Sequence, residues 1–100
     1  MAISIIWSPK AEETFDGITD DLLESWSEKV VRRFVQETFE TIDRVAIFPH
    51  SSPSFKSDPN IRRAIVNKHV SLIYRVQEEK IELITFWSNR QDLENMDVLD

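Results

Sequence analysis

Along the first half of the chain apolar residues recur at helical spacing, and along the second half they gather in short β-prone runs. Ile3 to Trp7 (Ile-Ser-Ile-Ile-Trp) opens the sequence with a run that predicts a short strand. Ser8-Pro9 follows, a good N-cap and then a residue suited to the first helical position. Ala11, Phe15, Ile18 and Leu22 recur at steps of four, three and four residues, the single stripe of an amphipathic helix. Gly17 weakens that helix by about 1 kcal/mol relative to Ala. Ser25-Trp26-Ser27 breaks the stripe, and Trp26 is expected to pack there rather than to bind. Ser27 caps a second helix with Glu28 favourable in its first turn. Val30, Val31, Phe34, Val35, Phe39, Ile42 and Val45 hold helical spacing to about Ile47. Phe48-Pro49 ends it, because the residue before a proline is pushed out of the helical region. The short break predicts an antiparallel helical hairpin.

His50 to Asn60 carries Ser51, Ser52, Ser54 and Ser57 with Pro53 and Pro59, and reads as a loop. Three β-prone runs come next, Ile61–Asn67, His69–Val76 and Ile81–Trp87, with tight polar separations at Asn67-Lys68 and Gln77-Glu78-Glu79-Lys80. They predict an antiparallel meander. In its middle strand Val70, Leu72, Tyr74 and Val76 share one face and Ser71, Ile73 and Arg75 the other. The helices need a sheet face on which to bury their stripes, which leaves the opposite face at least partly open. The expected architecture is therefore α+β: a short N-terminal strand, a helical hairpin and a three-stranded meander. It forms one domain over residues 1–100, with 93–100 an acidic, frayed tail.

Charge changes this picture in one place. The net charge is −6, and residues 1–60 hold six basic and eleven acidic side chains. From Ile61 to Val76, however, Arg62, Arg63, Lys68 and Arg75 occur with His69 and without a single acid. There is no cysteine, which excludes disulfides and thiolate metal sites. No apolar run approaches the roughly 18 residues of a membrane span, and Met1–Pro9 has no basic leader, so a cytoplasmic protein is expected. No P-loop, dinucleotide fingerprint or zinc-ligand spacing occurs, so no cofactor and no metal are expected.

The wording of several segments resembles the RelE/ParE superfamily of toxins. Ile5-Ile-Trp-Ser-Pro-Lys-Ala-Glu-Glu13 is similar to the family's opening, and Thr41-Ile-Asp-Arg-Val-Ala-Ile-Phe-Pro49 to its helix-ending Phe-Pro. Asn60-Ile-Arg-Arg63 and Leu72-Ile-Tyr-Arg-Val76 resemble its basic strand followed by a Tyr-x-Val strand, and Phe86-Trp-Ser-Asn-Arg-Gln-Asp92 its closing Arg-x-Asp segment. The likeness covers about residues 3–93. It implies the toxin of a bacterial type II toxin–antitoxin (plasmid stabilisation) system, with a cognate antitoxin that wraps it and higher-order toxin–antitoxin complexes. It also implies one of three modes of action: poisoning DNA gyrase, cutting mRNA in the ribosome, or none beyond antitoxin binding.

The residues favour the first mode. Cutting RNA through its ribose hydroxyl without metal needs a base, an acid and cations for the developing phosphate charge. Were the chain a nuclease, Arg63, Arg90 and His69 would carry that chemistry. By the resemblance, though, Ser71 stands where the ribosome-dependent nucleases have another Arg, and no Tyr or His follows Tyr74. Tyr74 shares a face with Leu72 and Val76 and is expected in the core. Asp16, Asp20, Asp21, Glu24, Glu37, Glu40 and Asp43 give the hairpin an acidic face, unsuited to docking deep in ribosomal RNA. The expected surface for target or antitoxin comprises Arg62, Arg63, Lys68, Arg75, Trp87, Asn89, Arg90 and Asp92, since Trp and Arg are the usual carriers of binding hot spots.

Overall fold

A computed structural model describes residues 3–88. The order is β1 (Ser4–Trp7), α1 (Pro9–Ser25), α2 (Glu28–Ile47), β2 (Ile61–Asn67), β3 (Val70–Gln77) and β4 (Lys80–Ser88). Each helix starts as its cap chemistry requires. Ser8 Oγ accepts from the Ala11 amide and Ser27 Oγ from that of Val30. This satisfies one of the amide groups that every helix start leaves without an internal partner.

The four strands form one sheet in the order β1-β4-β3-β2. β2, β3 and β4 are the expected antiparallel meander, and β1 joins it parallel to β4, Ile5 opposite Ile81 and Trp7 opposite Leu83. The β3–β4 turn is shorter than the polar run suggests: Gln77 and Lys80 pair, and only Glu78 and Glu79 make the turn. Glu79 there takes φ 57°, a left-handed conformation that Gly or Asn supplies at less cost. In the β2–β3 turn Asn67 Oδ1 accepts from the amides of His69 and Val70.

The core lies between the hairpin and one sheet face. Ala11, Phe34, Ile42 and Val45 come from the helices, and Ala64, Val70, Leu72, Tyr74, Ile81, Leu83 and Phe86 from the sheet. Phe15 sits among Trp7, Phe34 and Phe86, each ring centroid 5.4 Å from its own. A register shift explains why Phe86 rather than Thr85 follows Leu83 into the core. Ile73 faces Thr85 while Tyr74 faces Leu83, so Ile84 is an extra residue bulged out of β4. Strict alternation would have put Phe86 on the wrong face.

Trp26 corrects an expectation. It ends α1, where its backbone N–H bonds the Leu22 carbonyl, but its side chain is 72 % exposed. It sits beyond the last turn of the apolar stripe and is not part of the core cluster.

Candidate functional site

The sheet face turned away from the helices is built by register. Residues directly opposite in antiparallel strands project to the same side. Ile65, Ser71 and Trp87 form one row, Arg63, Ile73 and Thr85 the next, and Ile61, Arg75 and Glu82 a third. Its centre is less open than alternation alone suggests: Ser71 and Ile73 on the inner strand are 0 % and 1 % exposed. Ile65 at the rim is 50 % exposed, and Arg63, Arg75 and Trp87 are intermediate.

The positive stretch that is continuous in sequence is divided in space: Arg63 and Arg75 share the helix-free face in neighbouring rows, and the other basic groups lie elsewhere. Arg62 projects to the helix-covered side beside Tyr74, where its guanidinium donates to the carbonyls of Ser52 (2.7 Å) and His50 (3.1 Å). Tyr74, wholly buried as expected, donates its hydroxyl to Pro49 at 2.8 Å. These bonds pin the loop that leaves α2, and residues 53–55 then run along the outer edge of β2. Phe55 donates to Ile61 and Arg63 to Pro53 through the backbone. Arg75 faces Glu82 across the strands at 3.8 Å with both side chains more than a third exposed, a pair worth about 0–1 kcal/mol. His69 and Lys68 lie in the β2–β3 turn. His69 stands four residues along the chain from Ile73, the neighbour of Arg63, about 13 Å at the rise of a strand. The structure therefore does not bring His69 beside Arg63. Arg63 alone presents its guanidinium on the helix-free face without a hydrogen bond or ion pair among the described residues.

Trp87, in the row beyond Arg63, adds a further unmet group: its indole Nε1, like Arg75 Nε on the same face, is hidden from solvent and has no hydrogen-bond partner. A buried donor left unpaired costs about 1–3 kcal/mol. Asn89, Arg90 and Asp92, expected to extend this surface, lie outside the described residues.

The upper edge of β4 is the feature the sequence did not reveal. β1 pairs with β4 only as far as Leu83, and among the described residues no strand lies beside Ile84 to Ser88 on that side. The start of α1 takes its place. Ser8 donates its amide to Leu83 O and its hydroxyl to Ile84 O, and Thr14 Oγ1 accepts from the Phe86 amide at 3.0 Å. Beyond these bonds a cavity of about 290 Å³ opens between α1 and β4, lined by Thr14, Gly17, Ile18 and Asp21 on one side and by Thr85 to Ser88 on the other. These contacts join residues 72 and 76 apart in sequence, so no local pattern announces them. Among the described residues no cluster of His, Asp and Glu has the makings of a metal site, and no helix is long and apolar enough to cross a membrane.

Solved structures share this architecture. A chromosomal ParDE toxin–antitoxin system from P. aeruginosa superposes with a TM-score of 0.73 at 18 % identity, covering 87 % of this chain and 96 % of that one. A YoeB/ParE toxin from Agrobacterium tumefaciens gives 0.66 at 12 % identity, covering 87 % and 99 %. The YoeB dimer from Staphylococcus aureus gives 0.61 at 16 %, covering 85 % and 94 %. Identities this low speak for the fold alone. No curated protein matches the sequence significantly. The family profile described as the ParE toxin of type II toxin–antitoxin system, parDE, matches residues 5–93, nearly the whole fold just described. The chain thus belongs to the ParE toxin family of type II toxin–antitoxin systems.

Proposed function

We propose that this toxin arrests bacterial growth by gripping a protein target, with DNA gyrase the leading candidate, through the helix-free sheet face around Arg63 and Trp87. The cognate antitoxin neutralises it. The observation that carries this reading is the dispersal of the cations. Scission of RNA needs several positive groups and a base converging on one phosphate. Here Arg62 holds a loop, Arg75 faces Glu82, His69 lies at the turn, and buried Ser71 occupies the position where the nucleases of the resemblance carry an Arg. One unpaired guanidinium beside an exposed Ile65 and an unmet indole donor suits the anchoring of a protein surface better than catalysis.

Purified toxin at micromolar concentration should inhibit supercoiling by gyrase, and Arg63→Ala should relieve that inhibition. Unaffected gyrase would sink the proposed target. Cleavage of ribosome-bound mRNA in primer extension, lost in Arg63→Ala and Arg90→Ala, would establish the ribosome-dependent endoribonuclease instead. Induction of the chain alone without growth arrest would leave only an antitoxin-binding module.

The antitoxin reading has its own support in the fold. A neighbour of the same architecture was solved as a heterotetrameric YoeB–YefM toxin–antitoxin complex from Staphylococcus aureus. A segment of the partner that orders on binding would bury Ile65 and offer acceptors to Arg63 and Trp87. Co-expression with the neighbouring reading frame should yield a complex in which Arg63→Glu weakens affinity more than Arg75→Glu does.

A further inference from the structure

The tip of the helical hairpin carries an apolar centre with unmatched charge on both sides. Trp26 is 72 % exposed and Leu23 55 %. The end of α1 holds Asp20, Asp21 and Glu24, and its last turn has no basic residue. A helix C-terminus bears partial negative charge, so carboxylates there are unfavourable unless a cation approaches. None of the three makes an ion pair or side-chain hydrogen bond among the described residues. Across the tip, at the start of α2, Glu28 and Arg32 pair with each other at 3.4 Å. That leaves Lys29 and Arg33, one helical turn apart, likewise without an ion pair among the described residues. The hairpin therefore presents Asp20 and Glu24 on one helix and Lys29 and Arg33 on the other, not joined to each other among the described residues, while Asp21 turns to the cavity beside β4.

We infer that this tip is a self-association surface, and that its partner is a second copy of the chain. In a two-fold contact each patch meets itself reversed, so a patch must be complementary to its own rotated image. An apolar centre with acid on one helix and base on the other meets that condition. Leu23 and Trp26 of both copies lie at the axis, and the Asp20 and Glu24 of one α1 face the Lys29 and Arg33 of the opposing α2. Two chains of net charge −6 repel each other in most orientations. The matched charges at the tip select the orientation in which they meet. The contact is far smaller than the roughly 800 Å² per partner of a stable complex, so the dimer is weak and fills only at high concentration. It leaves the Arg63 face free, because Arg63 projects from the side of the sheet opposite the helices.

Sedimentation velocity on the full chain across a wide concentration range at low salt tests this. The sedimentation coefficient should rise with concentration and fall back to the monomer value as salt is added. Trp26→Ala, its fold checked by circular dichroism, should lose the concentration dependence. Asp20→Lys/Glu24→Lys and Lys29→Glu/Arg33→Glu should each be monomeric alone, and an equimolar mixture of the two should associate again. A wild-type chain that stays monomeric throughout, an association that survives Trp26→Ala, or a charge-swapped mixture that stays monomeric would each overturn the inference. Toxicity and antitoxin binding are separate readouts, since Asp20, Glu24, Lys29 and Arg33 line neither the helix-free sheet face nor the cavity that Asp21 shares with Trp87.

Discussion

The two ends of α1 obey different rules. At its start the helix is tied to the sheet. Ser8 caps it and also donates to Ile84 O, and Thr14 stands in for a missing strand by accepting the Phe86 amide. Ala11 is fully buried in the same stretch. At its end the apolar stripe runs out, the charges have the wrong sign for the helix dipole, and Leu23 and Trp26 face solvent. One end is committed to the fold, and the other is available to another molecule. The difference teaches where substitution should register as stability and where only as association.

The largest effect should come from the core beneath the tied end. Phe34→Ala removes a ring stacked on Phe15 and should cost about 3–5 kcal/mol, read as a fall in the urea midpoint. Thr14→Val keeps the shape but leaves the Phe86 amide without its acceptor, a cost of about 1–3 kcal/mol. A loss no greater than that of an ordinary surface substitution would show that water replaces the hydroxyl. Ser8→Ala removes the cap and the bond to β4 together and should cost about 0.5–2 kcal/mol. Glu79→Gly should act in the opposite direction, adding up to about 1 kcal/mol of stability, read as a rise in the urea midpoint, as the left-handed conformation is relieved. Smallest of all, Trp26→Ala should change stability by no more than about 0.5 kcal/mol, because the side chain is mostly in water. A large loss there would erase the contrast between the two ends.

The surface proposed for function divides in the same way. Arg62 and Arg63 are neighbours in sequence and are alike to any reading of charge. In the sheet they point to opposite sides, so one fastens a loop to the protein and the guanidinium of the other faces outward without a partner among the described residues. Arg75 sits in the same all-basic stretch, yet Glu82, seven residues on, faces it across the hairpin. Sequence could see that the stretch contained no acid, but not that a carboxylate from the next strand would arrive beside it.

Local chemistry was enough for much of this protein. The caps at Ser8 and Ser27, the stop at Phe48-Pro49 and the spacing of the apolar residues determined both helices and the order of the strands, because these depend on neighbours within about one helical turn or one strand pleat. The family was likewise legible, in short segments kept in the right order. What only the tertiary structure decided depends on pairings across the chain. These are the parallel seat of β1 beside β4, the bulge at Ile84 that turns Phe86 inward, the replacement of a strand edge by Ser8 and Thr14, and the separation of Arg62, Arg63 and Arg75 into different tasks. A single-residue register shift reverses which face a side chain occupies, and that register is set by packing between residues far apart in sequence.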